Sequence, residues 1–537
     1  MNEFSHISGP QLNIEKTKGI WLGPLKEFGL RKYCQITWTG NPVKCLGIYI
    51  GHNKEKCFNL NWTSKIISMK KLLQQWKQRS LTLKGKILII KTLALSKIVF
   101  PATILTVPKD VVSDIKSCVF EFIWGKRDRI KRNVIINTEV NGGLNMTDID
   151  CFISALQASW VTRILYNEGK WKSILLKYLG DLQLDINYIL KMNFKSRKSF
   201  PTILRLPTFY QDIFLSFNKI KDIKSIELLN DHEMFEQPVF GNENFKHQNK
   251  CLYMKSWLKA GIFYTKDLVN DKGNIKSDNE LYQLFKNKGN LLQEMFIVKN
   301  CVIKLIRTAK SSIAKFVKIK PVVTLVCDNK HYIINNQKSQ FFYDKTKRLS
   351  TSRNRMEVKL SKELGFENHQ DIWANIYNQK IVAMFDNKLA EFNFKLLHNI
   401  VPCGYILCKW EQSVDAKCEV CTVIENVKHM LFDCPRIYEI WESIATILKC
   451  NIKWKHLVCG FIGYSSDKII FMNTIFTIVS YAIFKENSRS KYENLAYKDL
   501  NIRNAVKRNL MYYRQILHRC KESLWTDIMF ESLINNL

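Results

Sequence analysis

The 537 residues are 46% hydrophobic and 12% aromatic, which suggests roughly three or four folded domains and excludes a mainly disordered chain. Lys and Arg outnumber Asp and Glu by 82 to 48, giving a formal net charge of +34. Such charge repels itself unless a polyanion is bound, so nucleic acid is the leading partner. The basic residues are spread along the chain, whereas membrane-binding proteins usually carry a juxtamembrane basic run or an amphipathic anchor.

The sixteen cysteines are too sparse for the disulfide framework of a small secreted scaffold, and the first residues, MNEFSHISG, have no secretory-signal pattern. We therefore expect an intracellular protein, in the nucleus or the cytoplasm or both, with reduced thiols. The longest apolar stretch, residues 469–484, is short for a membrane span and contains Asn473 and Ser480. It predicts a buried helix, and we expect no membrane partner.

In chain order, residues 1–60 are rich in Gly, Pro and short β-prone runs such as 45–50. Three helices follow, each predicted by apolar residues at helical spacing, and Pro101 is expected to limit the second. Their apolar stripes consist of Ile66, Met69, Leu73 and Trp76; of Leu83, Ile87, Ile90, Ala94 and Ile98; and of Val111, Ile115, Cys118 and Phe122.

Residues 126–132 form the densest basic cluster, and a turn at 141–143 precedes a helical segment from 148 to 166. Residues 170–320 are helical by pattern, without a recognisable motif. Residues 322–336 predict a β-hairpin that turns at Asp328 and Asn329. The polar and basic residues 338–358 are interpreted as a linker, and the rest of the chain is expected to be helical around a cysteine cluster.

Cys418 and Cys421 have two residues between them, seven residues then precede His429, and four more precede Cys434. Zinc is bound in proteins by four such ligands in a tetrahedron. Three thiolates and one imidazole make a closed structural site, with no open position for catalysis. The alternative is a set of ordinary reduced cysteines beside an exposed histidine, but the tight spacing favours zinc.

Three further residues compete as ligands, with looser spacing: His398, Cys403 and Cys408. The two cysteines are better interpreted as buried small residues. Trp410 and Trp441 flank the cluster and are candidates for stacking on bases, although tryptophans in such positions more often belong to a core.

Five motifs follow one another in this order: Phe4-Ser5-x-x-Ser8-Gly9-x-x-Leu12-Asn13-x-x-Lys16-Thr17, Val43-Lys-Cys-Leu-Gly-Ile-Tyr-Ile50, Trp76-x-x-Arg79-x-Leu81-Thr-Leu-Lys-Gly-Lys86, Phe122-Ile-Trp-Gly125 with Gly142-Gly-Leu144, and Phe394-Lys-Leu-Leu-His398 before the cysteine cluster. Together they resemble the C-terminal part of non-LTR (LINE-type) retrotransposon reverse transcriptases. The first looks like the palm segment after the catalytic strand, and the second is similar to the turn that grips the primer end. The others look like the thumb, the connection beyond it and the approach to the family's zinc-binding domain.

The resemblance implies a mainly α fold, with a short α+β palm remnant, a helical thumb and connection, and a small zinc-bound helical domain towards the C-terminus. It divides the chain into a palm remnant with a primer-grip-like turn at 1–60, a thumb and connection at 61–168, a helical region of unknown role at 169–337, the linker at 338–358, the zinc-binding reverse-transcriptase-type domain at 359–445, and a C-terminal helical region at 446–537.

Polymerases of this family bind two metal ions through palm aspartates, which the resemblance places upstream of Met1. The chain contains no Asp-Asp pair. We therefore expect RNA-directed DNA polymerase activity, and Mg²⁺, only if an upstream palm is present, and structural zinc as the cofactor of this segment. Lys16 resembles a lysine that protonates the leaving pyrophosphate, but a solvated loop lysine is the favoured interpretation.

The expected partners are RNA and DNA, as template–primer and element RNA, and the sequence names no protein partner. The residues expected to contact nucleic acid are Lys16, Leu46, Gly47 and Tyr49; Lys65, Lys70, Lys71, Arg79, Lys84 and Lys91 on the thumb; and Lys126, Arg127, Arg129, Lys131 and Arg132 in the basic cluster. Each group has an alternative interpretation: a simple buried strand at 46–49, solvated lysine-rich helix faces on the thumb, and a nuclear import signal at 126–132.

The leading hypothesis is a nucleic-acid-binding C-terminal fragment of a LINE-type reverse transcriptase that is not an independent polymerase. Two alternatives stay open. One is a domesticated zinc-containing module that docks protein or RNA, and the other is a retroelement remnant without function.

Overall fold

The computed structural model describes residues 6, 13–22, 36–125, 127–221, 231–270, 274–285, 291–309, 324–327, 330–334, 337–347, 354–410, 415–461, 466–493, 495–519 and 524–537. The chain divides into two compact units. Residues 1–70, 95–116 and 148–350 form the first unit, and residues 71–94, 117–147 and 351–537 form the second. The described residues are mainly helical with few short strands, as the sequence predicts.

The first unit contains helices and four pairs of short strands among its described residues. The strands are Lys18–Gly19 parallel to Thr37–Trp38, and three antiparallel pairs: Val43–Cys45 with Ile48–Ile50, Lys246–His247 with Lys250–Cys251, and Thr324–Cys327 with Lys330–Ile333. The helices are Lys54–Phe58, the π turn Asn59–Thr63, Ser96–Ile104, Ile149–Ala158, Trp160–Tyr166, Lys170–Asp181, Ile186–Lys191, the 3-10 turn Pro201–Arg205, Thr208–Ile220, Asp231–Phe235, Lys255–Lys259, the 3-10 turn Thr265–Leu268, Asp278–Phe285, Leu291–Ala309 and Ser339–Lys347.

The second unit is helical, and the helices Ser64–Lys77 and Lys109–Trp124 have residues in both units. Its other elements are Leu83–Ile89 with the π turn Ile90–Ala94, Arg132–Ile136, the 3-10 turn Glu139–Asn141, Arg355–Leu364, Gln370–Tyr377 with the π turn Asn378–Val382, Asn387–Leu397, Gly404–Trp410, the π turn His429–Asp433, the 3-10 turn Pro435–Ile437, Tyr438–Leu448, Trp454–Cys459, Ser466–Glu493, Asp499–Arg519 and Leu524–Asn536.

A two-residue turn joins the strands Val43–Cys45 and Ile48–Ile50, which pair antiparallel. Both turn residues have positive φ, 48° at Leu46 and 88° at Gly47. Such turns match the right-handed twist of the two strands. The conformation suits Gly47 but strains Leu46, whose side chain is nevertheless 86% exposed.

The core of the first unit includes the helix Thr208–Ile220, whose Phe214 and Phe217 are fully buried. The helix Ser339–Lys347 packs beside it and buries Phe342. This helix lies inside the range 338–358 that composition suggests as a linker. One buried face on a polar helix is too small a signal for composition to detect. The chain passes from the first unit to the second between residues 350 and 351, also within that range.

The apolar stripes of the three predicted helices after residue 60 are buried, apart from the half-exposed Trp76. The expected effect of Pro101 is wrong. The helical segment that begins at Leu83 ends at Ala94, and Pro101 lies inside the next helix, Ser96–Ile104. Proline lacks only its own N–H donor, and its carbonyl still accepts a hydrogen bond from the Leu105 N–H at 2.7 Å.

The helix Ser466–Glu493, called here the long helix, forms the centre of the second unit's core. Its residues Phe471, Ile475 and Val479 are at most 1% exposed, which confirms the buried helix expected at 469–484. In the described part of the chain, length and composition alone would let this helix cross a membrane, and the bent pair at 83–104 also if taken as one span. However, 78% of the long helix's most apolar window is buried inside the protein, as in a core helix.

The side chain of His398 connects two distant parts of the second unit. Its Nε2 donates to the Gly142 carbonyl at 2.8 Å, and its Nδ1 accepts from Asn354 Nδ2 at 3.0 Å. Burial lowers the pKa of His398 to about 4, so the ring is neutral, as this pair of bonds requires. The Tyr377 ring lies against Gly142, and a Cβ there would be 2.5 Å from Tyr377 Cζ.

Lys380 is fully buried beneath the long helix. Its Nζ donates one hydrogen bond, to Thr477 Oγ1 at 3.3 Å. Burial lowers its pKa from 10.5 to about 7, against a small opposing effect of Cys459. A lysine in this position therefore opposes folding whenever it carries its charge.

Replacing Gly142 with Ala is expected to destabilise the protein by about 2–4 kcal/mol, because the new methyl meets Tyr377 and the backbone has φ +74°. Gly125→Ala is the matched control, since Gly125 has φ +83° but no atom within 4 Å of the added Cβ. We expect a loss of only about 1 kcal/mol there. Urea unfolding measures both. Equal losses of unfolding free energy in the two variants would contradict the close packing of Tyr377 against Gly142.

Lys380→Met is expected to raise the free energy of unfolding at neutral and acidic pH, because it removes the buried ammonium. The unfolded chain keeps this proton up to pH 10.5, whereas the folded protein releases it near 7. The cost in the wild type is therefore complete below pH 7 and declines as the pH rises towards 10.5. Relative to Lys380→Met, the wild type should gain up to about 1.4 kcal/mol per pH unit in that window. Urea unfolding measures the free energy of unfolding of both proteins between pH 7 and about 10.5. A constant difference between the two proteins across this range would contradict the lowered pKa of Lys380.

Candidate metal centre and basic surfaces

Residues 418–434, called here the cysteine loop, bring four potential metal ligands together. The loop begins with a tight turn, in which the Cys418 N–H donates to the Val423 carbonyl at 2.8 Å and the Thr422 N–H donates to the Cys418 carbonyl at 2.9 Å. The turn directs the sulfur atoms of Cys418 and Cys421 to the same side, and the π turn His429–Asp433 supplies the histidine. The Cys434 N–H donates to the His429 carbonyl at 3.0 Å, which fixes the spacing of the last two ligands.

The distances between these side chains fit a tetrahedral zinc ion. The Sγ of Cys434 is 3.9 Å from that of Cys418 and 3.7 Å from that of Cys421, and all four ligand atoms lie within 4.8 Å of one another. Zn–S bonds of 2.3 Å at tetrahedral angles require sulfurs about 3.8 Å apart. His429 Nε2 is buried and has no hydrogen-bond partner in the described part of the chain, so it is available as a ligand. The donor set therefore fits zinc.

The backbone around Cys418 favours its thiolate. Burial by itself raises the pKa of this thiol, but the backbone N–H of Cys421, the nearby His429 side chain and the backbone N–H of Val420 lower the pKa below its ordinary value. Arg436 adds a smaller effect in the same direction. A metal-binding thiol must lose its proton, so these donors assist metal binding.

A buried carboxylate anchors the cysteine loop to the rest of the second unit. Glu425 is fully buried, and its carboxylate accepts the Gly404 N–H at 2.9 Å and pairs with Lys491 of the long helix at 2.8 Å. Arg436 lies 3.8 Å from the same carboxylate and stacks over the ring of Tyr497, 4.5 Å from its centre. These charge pairs therefore hold the cysteine loop against the long helix.

The competing ligands are excluded by their surroundings. Both ring nitrogens of His398 are hydrogen-bonded, and Cys403 and Cys408 lie outside the cluster of four ligand atoms. Trp441 is a core residue, as expected, and its Nε1 donates to the Leu431 carbonyl. Trp410 is only partly buried and is covered by Arg129, whose guanidinium lies 4.0 Å from the ring centre.

Sequence patterns do not single out Glu425 or Arg436, although both support the metal centre. Glu425 is one acidic residue among several in the loop, and its partners Gly404 and Lys491 come from distant helices. Pro435 directly after Cys434 suits the end of a metal-binding unit, but Arg436 gives no signal by itself in the sequence. Only the packing of the loop on the long helix brings these groups together.

In the first unit, Lys16 is exposed in a turn in which its N–H donates to Asn13 Oδ1. Leu46 and Gly47 form the hairpin tip. Tyr49 is half-buried, and the buried Asn61 binds both its N–H and its carbonyl at 2.8 Å. Sequence analysis missed Asn61, because a single asparagine in a helical turn gives no sign of what it binds.

On the helices expected to form the thumb, Arg79 is exposed and lies over the Trp76 ring, 4.6 Å from its centre. Lys84 pairs with Glu139 at 2.9 Å, and burial lowers the pKa of Lys91, against the opposing effect of Glu139. Glu139 therefore neutralises part of the positive charge of this face, although it lies far from these lysines in the sequence. The remaining lysines are exposed or half-exposed, namely Lys65, Lys70 and Lys71.

Four residues of the basic cluster are exposed, namely Arg127, Arg129, Lys131 and Arg132, and Lys126 lies outside the described residues. Arg132 pairs with Asp128 at 2.7 Å and lies over Phe120. Arg129 stacks on Trp410, which joins the cluster to the C-terminal part of the second unit. The cluster is thus partly neutralised at one end and open at Arg129.

Comparison with known proteins identifies a match that includes all four potential ligands. Residues 359–441 match the family described as zinc-binding in reverse transcriptase. The transposon TX1 uncharacterized 149 kDa protein of Xenopus laevis is 20% identical over 249 residues, which are 45% of this chain and 19% of that protein. The chain thus spans about a fifth of that relative's length. Both findings support the resemblance to the C-terminal region of a LINE-type reverse transcriptase.

Cys434→Ser is expected to reduce the zinc bound by the purified protein from about one ion per chain to nearly none, because a structural site needs all four ligands. Cys408→Ser is the matched control, since this thiol is partly exposed and outside the cluster. Elemental analysis after removal of loosely bound metal measures the content. Wild-type protein without zinc, or equal zinc in both variants, would contradict the assignment.

Proposed function

We propose that this chain forms the nucleic-acid-binding C-terminal region of a LINE-type reverse transcriptase, stabilised by zinc. One observation carries the proposal. The segment that matches the reverse-transcriptase zinc-binding family contains four ligands at distances that suit the ion. The formal charge of +34 supports a polyanionic partner.

Zinc would be held by Cys418, Cys421, His429 and Cys434, and would close the cysteine loop as a structural cross-link. Three thiolates around a divalent ion leave one net negative charge. Arg436, whose side chain is only 8% exposed, is positioned to balance it. The loop then presents a fixed surface next to the long helix, and no ligand position stays open for catalysis.

The proposed role of this segment is to hold RNA and DNA, and not to join nucleotides. These 537 residues contain no Asp-Asp pair, so metal-dependent polymerisation and its Mg²⁺ would require palm aspartates from sequence outside them. Binding to element RNA and target DNA implies action inside the cell, in the nucleus or the cytoplasm.

The hairpin tip supports a contact with the primer end. Leu46 adopts a left-handed conformation that is unfavourable for a branched residue, and its apolar side chain is exposed. Strain of this kind often marks a functional position. With Gly47 beside it, the tip allows a nucleic-acid backbone to approach closely.

The phosphate contacts proposed for the helices differ in strength. Lys70, Lys71 and Arg79 are exposed and suited to long-range attraction of phosphates. Lys84 and Lys91 share the field of Glu139 and should contribute less. In the basic cluster, Arg129 is the stronger candidate, because Asp128 already neutralises Arg132.

A protein-docking module is the second candidate, and one observation favours it. The cysteine loop exposes three apolar side chains, Val420, Val423 and Ile424, each at least half exposed. A patch of this kind on a rigid loop suits a protein partner as well as a nucleobase.

Single-stranded RNA is expected to bind the full chain with an affinity that falls at least tenfold between about 50 and 200 mM salt, because each phosphate contact releases counterions. Fluorescence anisotropy with a labelled RNA of about twenty nucleotides measures it, with an uncharged peptide nucleic acid of the same sequence as the control. Absence of binding, or an affinity independent of salt, would contradict the proposed function.

A further inference from the structure

A groove of about 930 Å³ lies between the long helix and the helix Asp499–Arg519. Its lining includes the basic side chains Lys485, Lys507 and Arg508 and the ring of Tyr492. Lys485 is exposed and has no ion-pair or hydrogen-bond partner among the described residues. The groove therefore offers positive charge that the folded chain does not itself neutralise.

The acidic residues of the groove reduce this charge only in part. Glu486 is buried and pairs with Arg489, and it also accepts from the Lys498 N–H and from Asn501 Nδ2. It is thus engaged in holding the two helices together. Glu493 is the other acidic side chain in the lining, so cations exceed anions along the groove.

A smaller cavity of about 270 Å³ shares Lys485 with the groove, which extends the basic surface. Its lining includes Lys388, which is exposed, and Lys395, which pairs with Glu391 at 2.5 Å. Burial lowers the pKa of Lys86, Glu391 opposes this shift, and the nearby charges of Lys395 and Arg129 add to it. Cations from four separate stretches of sequence, at Lys86, at Arg129, at 388–395 and at Lys485, therefore lie near one another in the second unit.

Planar side chains occur together with these cations. Tyr492 is 63% exposed and lies close enough to Arg129 to affect the pKa of its guanidinium, and Arg129 stacks on Trp410, 4.0 Å from the ring centre. An exposed tyrosine beside an arginine–tryptophan stack offers flat surfaces for bases. Bases become available for stacking only when they are unpaired.

We propose that this groove is a binding site for single-stranded nucleic acid, with phosphates on Lys485 and Lys507 and a base stacked on Tyr492. The inference rests on the proposed function and extends it by naming the site and the strandedness of the ligand. The volume favours single strands, because 930 Å³ is the scale of a pocket for a small ligand and accommodates only a few nucleotides. A duplex keeps its bases stacked internally and would gain nothing from Tyr492.

The test measures the affinity of the full chain for a single-stranded RNA of about twelve nucleotides and for the corresponding duplex. Tyr492→Leu is expected to weaken single-strand binding about tenfold and duplex binding less than twofold, because one stacked base is lost. Lys485→Ala should weaken single-strand binding and reduce its salt slope by about 0.7. Tyr492→Phe keeps the ring and should bind like the wild type.

Tyr438→Leu and Lys362→Ala are the matched controls, since both residues are exposed on other helices outside the groove. Thermal unfolding identifies any variant that is misfolded. If one of the two groove variants is misfolded, the binding measured for the other one tests the proposal. Wild-type affinity in both groove variants, or equal loss for duplex and single strand in Tyr492→Leu, would overturn the groove alone. Poly-glutamate binding that is tighter than RNA binding and lost in Lys485→Ala would identify an acidic protein partner and overturn it too. No nucleic-acid binding by the wild type would overturn the proposed function as well.

Discussion

The neutral imidazole of His398 is hydrogen-bonded to Gly142, which is 256 residues away in the chain, and to Asn354. These two bonds hold three separate segments of the second unit together. Its donor is used by the Gly142 carbonyl and its acceptor by Asn354, which leaves no capacity for a proton or a metal. Gly142 must lack a side chain because Tyr377 fills that space. The turn at 141–143 and the segment leading to the cysteine loop are therefore one structural element, although the sequence presents them as separate motifs.

Local chemistry accounts for what the sequence predicts well. Leu83, Ile87 and Ile90 are buried because a stripe with helical spacing has one face to bury, and periodicity detects that face. The four potential ligands are recognisable by their spacing, because they lie close together in the sequence. The turn at Leu46 and Gly47 is expected only from the resemblance to the primer-grip turn, because the residues by themselves indicate a β-prone run at 45–50.

Tertiary packing decides the features that the sequence did not reveal. Pro101 lies within the helix Ser96–Ile104, and the preceding helical segment ends earlier, at Ala94, where no breaker residue is present. Glu425 is a metal-loop anchor only because Gly404 and Lys491 meet it from other helices. Lys84 looks like a phosphate contact until Glu139 is seen beside it. In each case the deciding partner lies outside the window over which a pattern can be recognised.

The π turn His429–Asp433 has a consequence for how this loop can change in evolution. A π turn contains one residue more than an α-helical turn. Deleting one residue from a π turn inside a helix can therefore leave an ordinary α-helical turn. Here the same deletion would shorten the interval between His429 and Cys434, which sets the position of two ligands. Related sequences should therefore tolerate a one-residue deletion at the π turn Ile90–Ala94 but not in the cysteine loop. The length of the cysteine loop is then constrained as strictly as the identity of its ligands.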